Sequence, residues 1–146
     1  MEFKLILDQS SEETIVATVH KRTSLVDEIE RLVMAYDGRA PMTGYAGSDI
    51  ARLNYAEIEC ITVISSKTYA IDLNGARYQI KKRLYEVEQL LPSRFIRINK
   101  SSLANQSRIQ KFTVGINGAV DVIFKSGYKE YVSRRCFSSI KRRLAL

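Results

Sequence analysis

Apolar and polar positions along this chain follow two periods. Residues 3–7 (Phe-Lys-Leu-Ile-Leu) and 14–19 (Thr-Ile-Val-Ala-Thr-Val) are short β-branched runs parted by a polar stretch, a pattern that predicts two strands. From Leu25 the spacing becomes helical, with Leu25, Ile29, Leu32, Val33 and Tyr36 on one stripe. Ser24, with Asp27 three residues on, has capping-box spacing, and Asp37-Gly38 supplies a stop, Gly38 suiting the left-handed position after a helix. Residues 1–40 thus read as a β-β-α unit. A unit of that length is too short to bury a core of its own, so its stripe must dock on the rest of the chain or on a second copy.

Residues 41–48 (Pro-Met-Thr-Gly-Tyr-Ala-Gly-Ser) hold a proline and two glycines and read as a linker. Beyond them the pattern is mostly β. Ile58 to Ile64, Tyr69 to Leu73 and Ala76 to Ile80 run apolar or alternate, and Asn74-Gly75 is a hairpin signal because both residues accept positive φ. Leu84, Val87 and Leu91 predict a short helix closed by Pro92. Strands follow at Phe95 to Ile98, Ile109 to Ile116, Ala119 to Lys125 and Lys129 to Val132, with turns at Asn117-Gly118 and Ser126-Gly127. Ser133 can cap a last helix whose Phe137, Ile140 and Leu144 face inward. The expected fold class is mainly β: small antiparallel sheets with short helices over residues 49–146, preceded by the small N-terminal unit.

Charge changes the picture. Residues 1–91 carry 11 Lys+Arg and 14 Asp+Glu, a net of −3, whereas residues 92–146 carry 12 Lys+Arg and 2 acids, a net of +10. A half this basic fits a polyphosphate partner, and equally an acidic protein or an anionic membrane surface. No apolar run reaches the 18 or so residues of a membrane-spanning helix, and Met1-Glu2-Phe3-Lys4 does not open a secretory signal. Cys60 and Cys136 lie far apart with no paired-cysteine motif, so neither zinc nor a disulfide framework is signalled, and a reduced, cytoplasmic chain is the default.

Catalytic chemistry has little support. The single histidine, His20, lies in a strand-to-helix connection, and carboxylates cluster only at Asp27-Glu28-Glu30 and Glu86-Glu88, in helical segments where a solvated face accounts for them. No phosphate-binding glycine motif appears, and no enzyme, cofactor or metal site is expected. Two polar, cationic strand ends stand out instead. Arg97 alternates with Ile96 and Ile98, and the chain leaves that strand through Asn99-Lys100-Ser101; it leaves another through Ser133-Arg134-Arg135. Such tips on a rigid β framework suit groove reading, since arginine can bond a guanine edge bidentately, asparagine an adenine edge, and lysine and serine can hold phosphates. Arg97 also suits a strand-face ion pair, and Arg135, Arg142 and Arg143 a general positive field.

The string Leu-Pro-x-x-Phe-Ile-Arg-Ile-x-Lys-Ser-x-Leu-x-Asn from Leu91 to Asn105, followed by a downstream isoleucine, a turn glycine and Val132-Ser133-Arg134, resembles the LytTR DNA-binding domain of bacterial regulators. The likeness spans residues 49–145, is most specific from Pro92 to Leu144, and takes Leu53 to Ile64 as the opening strands. It implies an elongated all-β fold whose strand-connecting loops enter major grooves at paired promoter repeats. Lys100 and Ser101 match the family's Lys-Ser step and Arg134 its Ser-Arg arginine, whereas Asn99 stands where the family usually has a base-contacting histidine. The roughly 40 preceding residues are too few for a receiver domain, so residues 1–40 resemble the leader of stand-alone members, whose tasks are self-association as a homodimer or sensing of a membrane-protein partner. The resulting expectation is a sequence-specific transcription regulator that binds double-stranded DNA through Arg97, Asn99, Lys100, Ser101, Arg134 and Arg135. The competing expectation is an interaction or sensory protein with no DNA role.

Overall fold

The computed structural model describes residues 1–11, 14–36 and 41–146. The chain divides into two compact units, Met1–Gly38 and Arg39–Leu146.

In the first unit the helix forms, as α1 (Ser24–Ala35), with Thr23 rather than Ser24 at the N-cap and no side-chain capping bond. Arg22 pairs with Asp27 at 2.7 Å and with Glu30, so these carboxylates belong to a surface ion cluster. The expected helix stop at Asp37-Gly38 lies outside the described residues. Residues 3–7 and 14–19, expected as strands, take up no ladder. Their apolar side chains are exposed, including Phe3, Leu7 and Val16, as are Leu25 and Leu32 on α1 and Tyr36 just after it. Strand propensity is realised only against a paired and packed neighbour, and a lone two-stranded ribbon is marginal in water.

The second unit is built on two antiparallel sheets. Its strands are β1 (Met42–Ala46), β2 (Asp49–Leu53), β3 (Ile58–Ile64), β4 (Lys67–Asp72), β5 (Arg77–Ile80), β6 (Phe95–Asn99), β7 (Ser102–Asn105), β8 (Ile109–Val114), β9 (Val120–Phe124) and β10 (Lys129–Val132), with helices α2 (Leu84–Leu90) and α3 (Arg134–Leu144). The larger sheet has the order β2-β1-β5-β4-β3-β7-β6, the smaller β10-β9-β8. Residues 41–48 are therefore no linker: Met42 to Ala46 pairs with Asp49 to Leu53, and the boundary falls at Gly38. Gly44 is there for closeness, because a Cβ would sit 2.6 Å from Leu53 Cδ1 and 2.7 Å from Tyr78 Cβ.

Both faces of the larger sheet are buried at its centre. One face carries Ile61, Ala70 and Leu103 against Val87 and Leu91 of the α2 segment; the other carries Cys60, Ile71, Ile96, Ile98 and Ala104 against Val120, Val122 and Phe124 of the small sheet and Ile140 of α3. This explains why Ile58 to Ile64 is almost unbroken apolar sequence: alternate residues enter different cores. One charge interrupts the run. At a register shift between Ile58 and Cys60, Glu59 becomes the extra residue of a β-bulge and is wholly buried. Its carboxylate accepts bonds from Arg108 (Nε 3.2 Å, Nη2 3.0 Å), from the Ser126 N–H (3.2 Å) and from Ser126 Oγ. The bulge thereby clamps the large sheet to the β9–β10 turn of the small one.

Candidate nucleic-acid interface

The two cationic strand ends meet. β6 and β7 form a hairpin whose turn is Lys100-Ser101, with a register shift between Arg97 and Asn99. Asn99 is only 8% exposed, and both ends of its amide are engaged. Its Nδ2 donates to the Tyr131 carbonyl at 2.7 Å, and its Oδ1 accepts the Ser101 N–H at 2.7 Å. A second bridge joins the same segments, where the Ser133 N–H donates to the Ile98 carbonyl at 2.8 Å. The bend at 99–102 and the bend at 133–135 are thus stitched side by side at one end of the molecule's second unit.

Each bend is braced so that its tip stays out. Arg97 Nη1 donates to the Lys100 carbonyl at 3.0 Å, its Nη2 pairs with Glu88 of α2, and the Val63 N–H donates to the Ser101 carbonyl at 2.9 Å. Lys100 is left exposed and, among the described residues, without an ion pair. Ser133 caps α3 by accepting the Cys136 N–H at 3.2 Å, which turns the chain sharply and sets Arg134 and Arg135 outward. Arg134 Nη2 lies 3.4 Å from the Asn117 carbonyl in the β8–β9 turn.

The six sequence-predicted residues therefore fall into two groups. Lys100, Arg134 and Arg135 are exposed cations, with half-exposed Ser101 beside them. Arg97 and Asn99 have their polar atoms bound within the protein, which gives them a supporting place rather than a presented one. Glu88, read from sequence as a solvated carboxylate, is the anchor of Arg97, and Glu86 accepts the Arg83 N–H at 3.2 Å to cap α2. Arg142 and Arg143 lie elsewhere. α3 starts against Ile98 and returns along β6, and Arg143 Nη2 donates to the Ser93 carbonyl at 2.6 Å. The intervening strand separates that end from the bends by roughly 16 Å, at about 3.3 Å per residue.

Sequence reasoning missed two neighbours of the bends. The β3–β4 turn, Ser65-Ser66, adopts positive φ at both residues (51° and 65°) and projects next to exposed Lys67, on the hairpin whose Val63 holds Ser101. Two consecutive left-handed residues are what a type I′ hairpin turn demands; the polar break Ser65-Ser66-Lys67 separates the two strands in sequence, but serine does not announce positive φ as Asn-Gly does. Tyr131, 52% exposed, borders Lys100 in a shallow cleft that Thr62 and Glu130 also line.

The model of the LytTr DNA-binding domain matches residues 48–145. The chain belongs to the LytTR family. Over the full chain it is 32% identical to an uncharacterized HTH-type transcriptional regulator of Staphylococcus aureus strain NCTC 8325, and 31% identical to its counterpart in the bovine strain RF122 / ET3-1, in both cases covering 99% of the relative. The LytTR DNA-binding domain of a methyl-accepting/DNA response regulator from Bacillus cereus superposes with a TM-score of 0.67 at 21% identity, covering 75% of this chain and 100% of that one. The LytTR fold is thus the fold of the second unit. Despite the relatives' name, the described residues hold no two helices joined by a short turn: strands separate α1, α2 and α3.

Proposed function

We propose that this protein is a cytoplasmic, sequence-specific transcription regulator whose bends at 99–102 and 133–135 enter the major groove of promoter DNA. The observation that supports the reading is the stitching of the two bends, through Asn99 to Tyr131 and Ser133 to Ile98, which joins the segments that carry the exposed Lys100, Arg134 and Arg135. In this reading Arg134 reads a base edge, its planar fork suiting guanine O6 and N7, while Lys100 and Arg135 meet phosphates or base edges and Ser101 adds a hydroxyl. Arg97 and Asn99 hold the first bend in shape. A pre-braced bend gives up little ordering entropy on binding, so more of its contact energy appears as affinity.

The test is selection of duplexes from a promoter library with the purified protein, followed by salt titration of binding to the recovered duplex. Affinity should fall linearly with salt on logarithmic axes, with a slope near −0.9 per neutralised phosphate. Arg134→Ala should cost about 1–3 kcal/mol on the selected duplex, concentrated at one base pair. Equal losses on selected and random duplex would demote Arg134 to a phosphate contact, and a flat salt response would remove the DNA reading altogether.

A further inference from the structure

The β8–β9 hairpin tip touches the proposed reading arginine without having any charge of its own. From Val114 to Val120 the sequence is Val-Gly-Ile-Asn-Gly-Ala-Val, seven residues with no acid or base in a half of the chain whose net charge is +10. The tip is tightly built. The Gly115 N–H donates to the Ala119 carbonyl at 2.7 Å, the Gly118 N–H to the Gly115 carbonyl at 3.0 Å, and Asn117 Oδ1 accepts the Ala119 N–H at 3.1 Å. Gly118, with φ at +80°, lies where an added Cβ would be 3.9 Å from Arg134 Nη2, and the Asn117 carbonyl is that same nitrogen's partner at 3.4 Å. Beside this contact Ile116, in the turn, is fully exposed, and Val114 at the end of β8 is 59% exposed.

We propose that Ile116 is a specificity contact of the DNA interface, meeting a thymine 5-methyl group next to the base pair that Arg134 reads. The inference rests on the DNA reading given above. The tip has no cation for a phosphate, only neutral donors such as the Asn117 amide, and the outermost side chain it presents is the apolar Ile116; the thymine methyl is the apolar feature of the major groove. Because the turn is already fixed by its own hydrogen bonds, placing Ile116 there costs little ordering.

The experiment measures binding of wild type, Ile116→Ala, Lys100→Ala and Arg134→Ala to the duplex recovered by library selection. Each thymine of that duplex is then replaced singly by uracil, which deletes only the methyl. Ile116→Ala should bind about fivefold more weakly, as expected for losing one partly buried apolar contact. One uracil position should weaken wild type by a similar factor and leave Ile116→Ala unaffected. The thermal midpoint should not move, because the Ile116 side chain is fully exposed. Binding by Ile116→Ala within twofold of wild type overturns the proposal, and so does a weakened variant whose uracil profile matches wild type. Normal binding by Lys100→Ala and Arg134→Ala would instead bring down the DNA reading, whereas losses in those two with unchanged Ile116→Ala would sink only the thymine contact.

Discussion

Asn99→Ala separates a frame residue from a reading residue. The substitution strands two backbone groups, the Tyr131 carbonyl and the Ser101 N–H, each now bonded at 2.7 Å to a side chain only 8% exposed. Leaving a part-buried backbone group without its partner costs roughly 1–1.5 kcal/mol, so the variant should lose about 2–3 kcal/mol of folding stability. In urea titration the midpoint should fall with an unchanged slope. Binding should suffer as well, because a freed bend must be ordered again. Fixing one backbone residue costs about 1–2 kcal/mol, which corresponds to a 5- to 30-fold loss of affinity for the selected duplex. No single base pair should account for that loss. Unchanged stability together with lost preference at one A·T pair would refute the reasoning and make Asn99 an adenine reader.

Two further outcomes follow from the core. Arg108→Ala leaves the fully buried Glu59 carboxylate with Ser126 alone and should cost about 3–5 kcal/mol, while the Glu59→Ala, Arg108→Ala double variant should cost clearly less than the sum of the singles, as chemical denaturation would show. Stability should also decline in alkali. Burial raises the Cys60 thiol well above its ordinary 9.0, and burial, with the neighbouring Cys60 and the bond to Glu130, raises the Tyr128 phenol above its ordinary 10.0. The unfolded chain then releases these protons first, so the contribution of these two groups to unfolding free energy is level below about pH 8 and falls as pH rises through and beyond their ordinary values. Tyr128→Phe should flatten that fall in thermal melts across pH, and an unaltered slope would dismiss Tyr128 as its source.

The parts of the fold legible in sequence are those where side-chain pattern and backbone demand agree. β3, β5, β6 and the three strands of the small sheet follow from apolar runs punctuated by Asn-Gly and Ser-Gly, and α3 from Ser133 and its apolar spacing. The misses have specific causes. β1 looked like a linker because Gly44 serves close packing against Leu53 and Tyr78 rather than flexibility. β7 went unread because Ser102 and Asn105 are polar, yet they are 1% and 0% exposed; Ser102 is bonded to Thr62 at 2.7 Å, and Asn105 Nδ2 donates to the Ile58 carbonyl at 2.8 Å. Residues 3–7 and 14–19 carry strand composition without a neighbour to pair with. At the candidate interface, residue type marked the cationic tips well. It could not tell Asn99, turned inward, from Lys100, turned outward, since that difference arises from a register shift visible only in three dimensions.

The bulge-held Glu59 clamp and the bridged bends divide labour in a way that bears on how such a protein could acquire new targets. The hydrogen bonds that set the spacing of the two bends run through main-chain groups and through one sheltered amide, whereas Lys100, Arg134 and Arg135 contribute little to that spacing. Exchanging the outward side chains therefore changes the chemistry presented at the two bends while the hydrogen bonds that space them are kept. If the proposed interface holds, a designer seeking altered operator preference can vary three positions on an otherwise untouched mount, and the spacing of the two bends stays as it is.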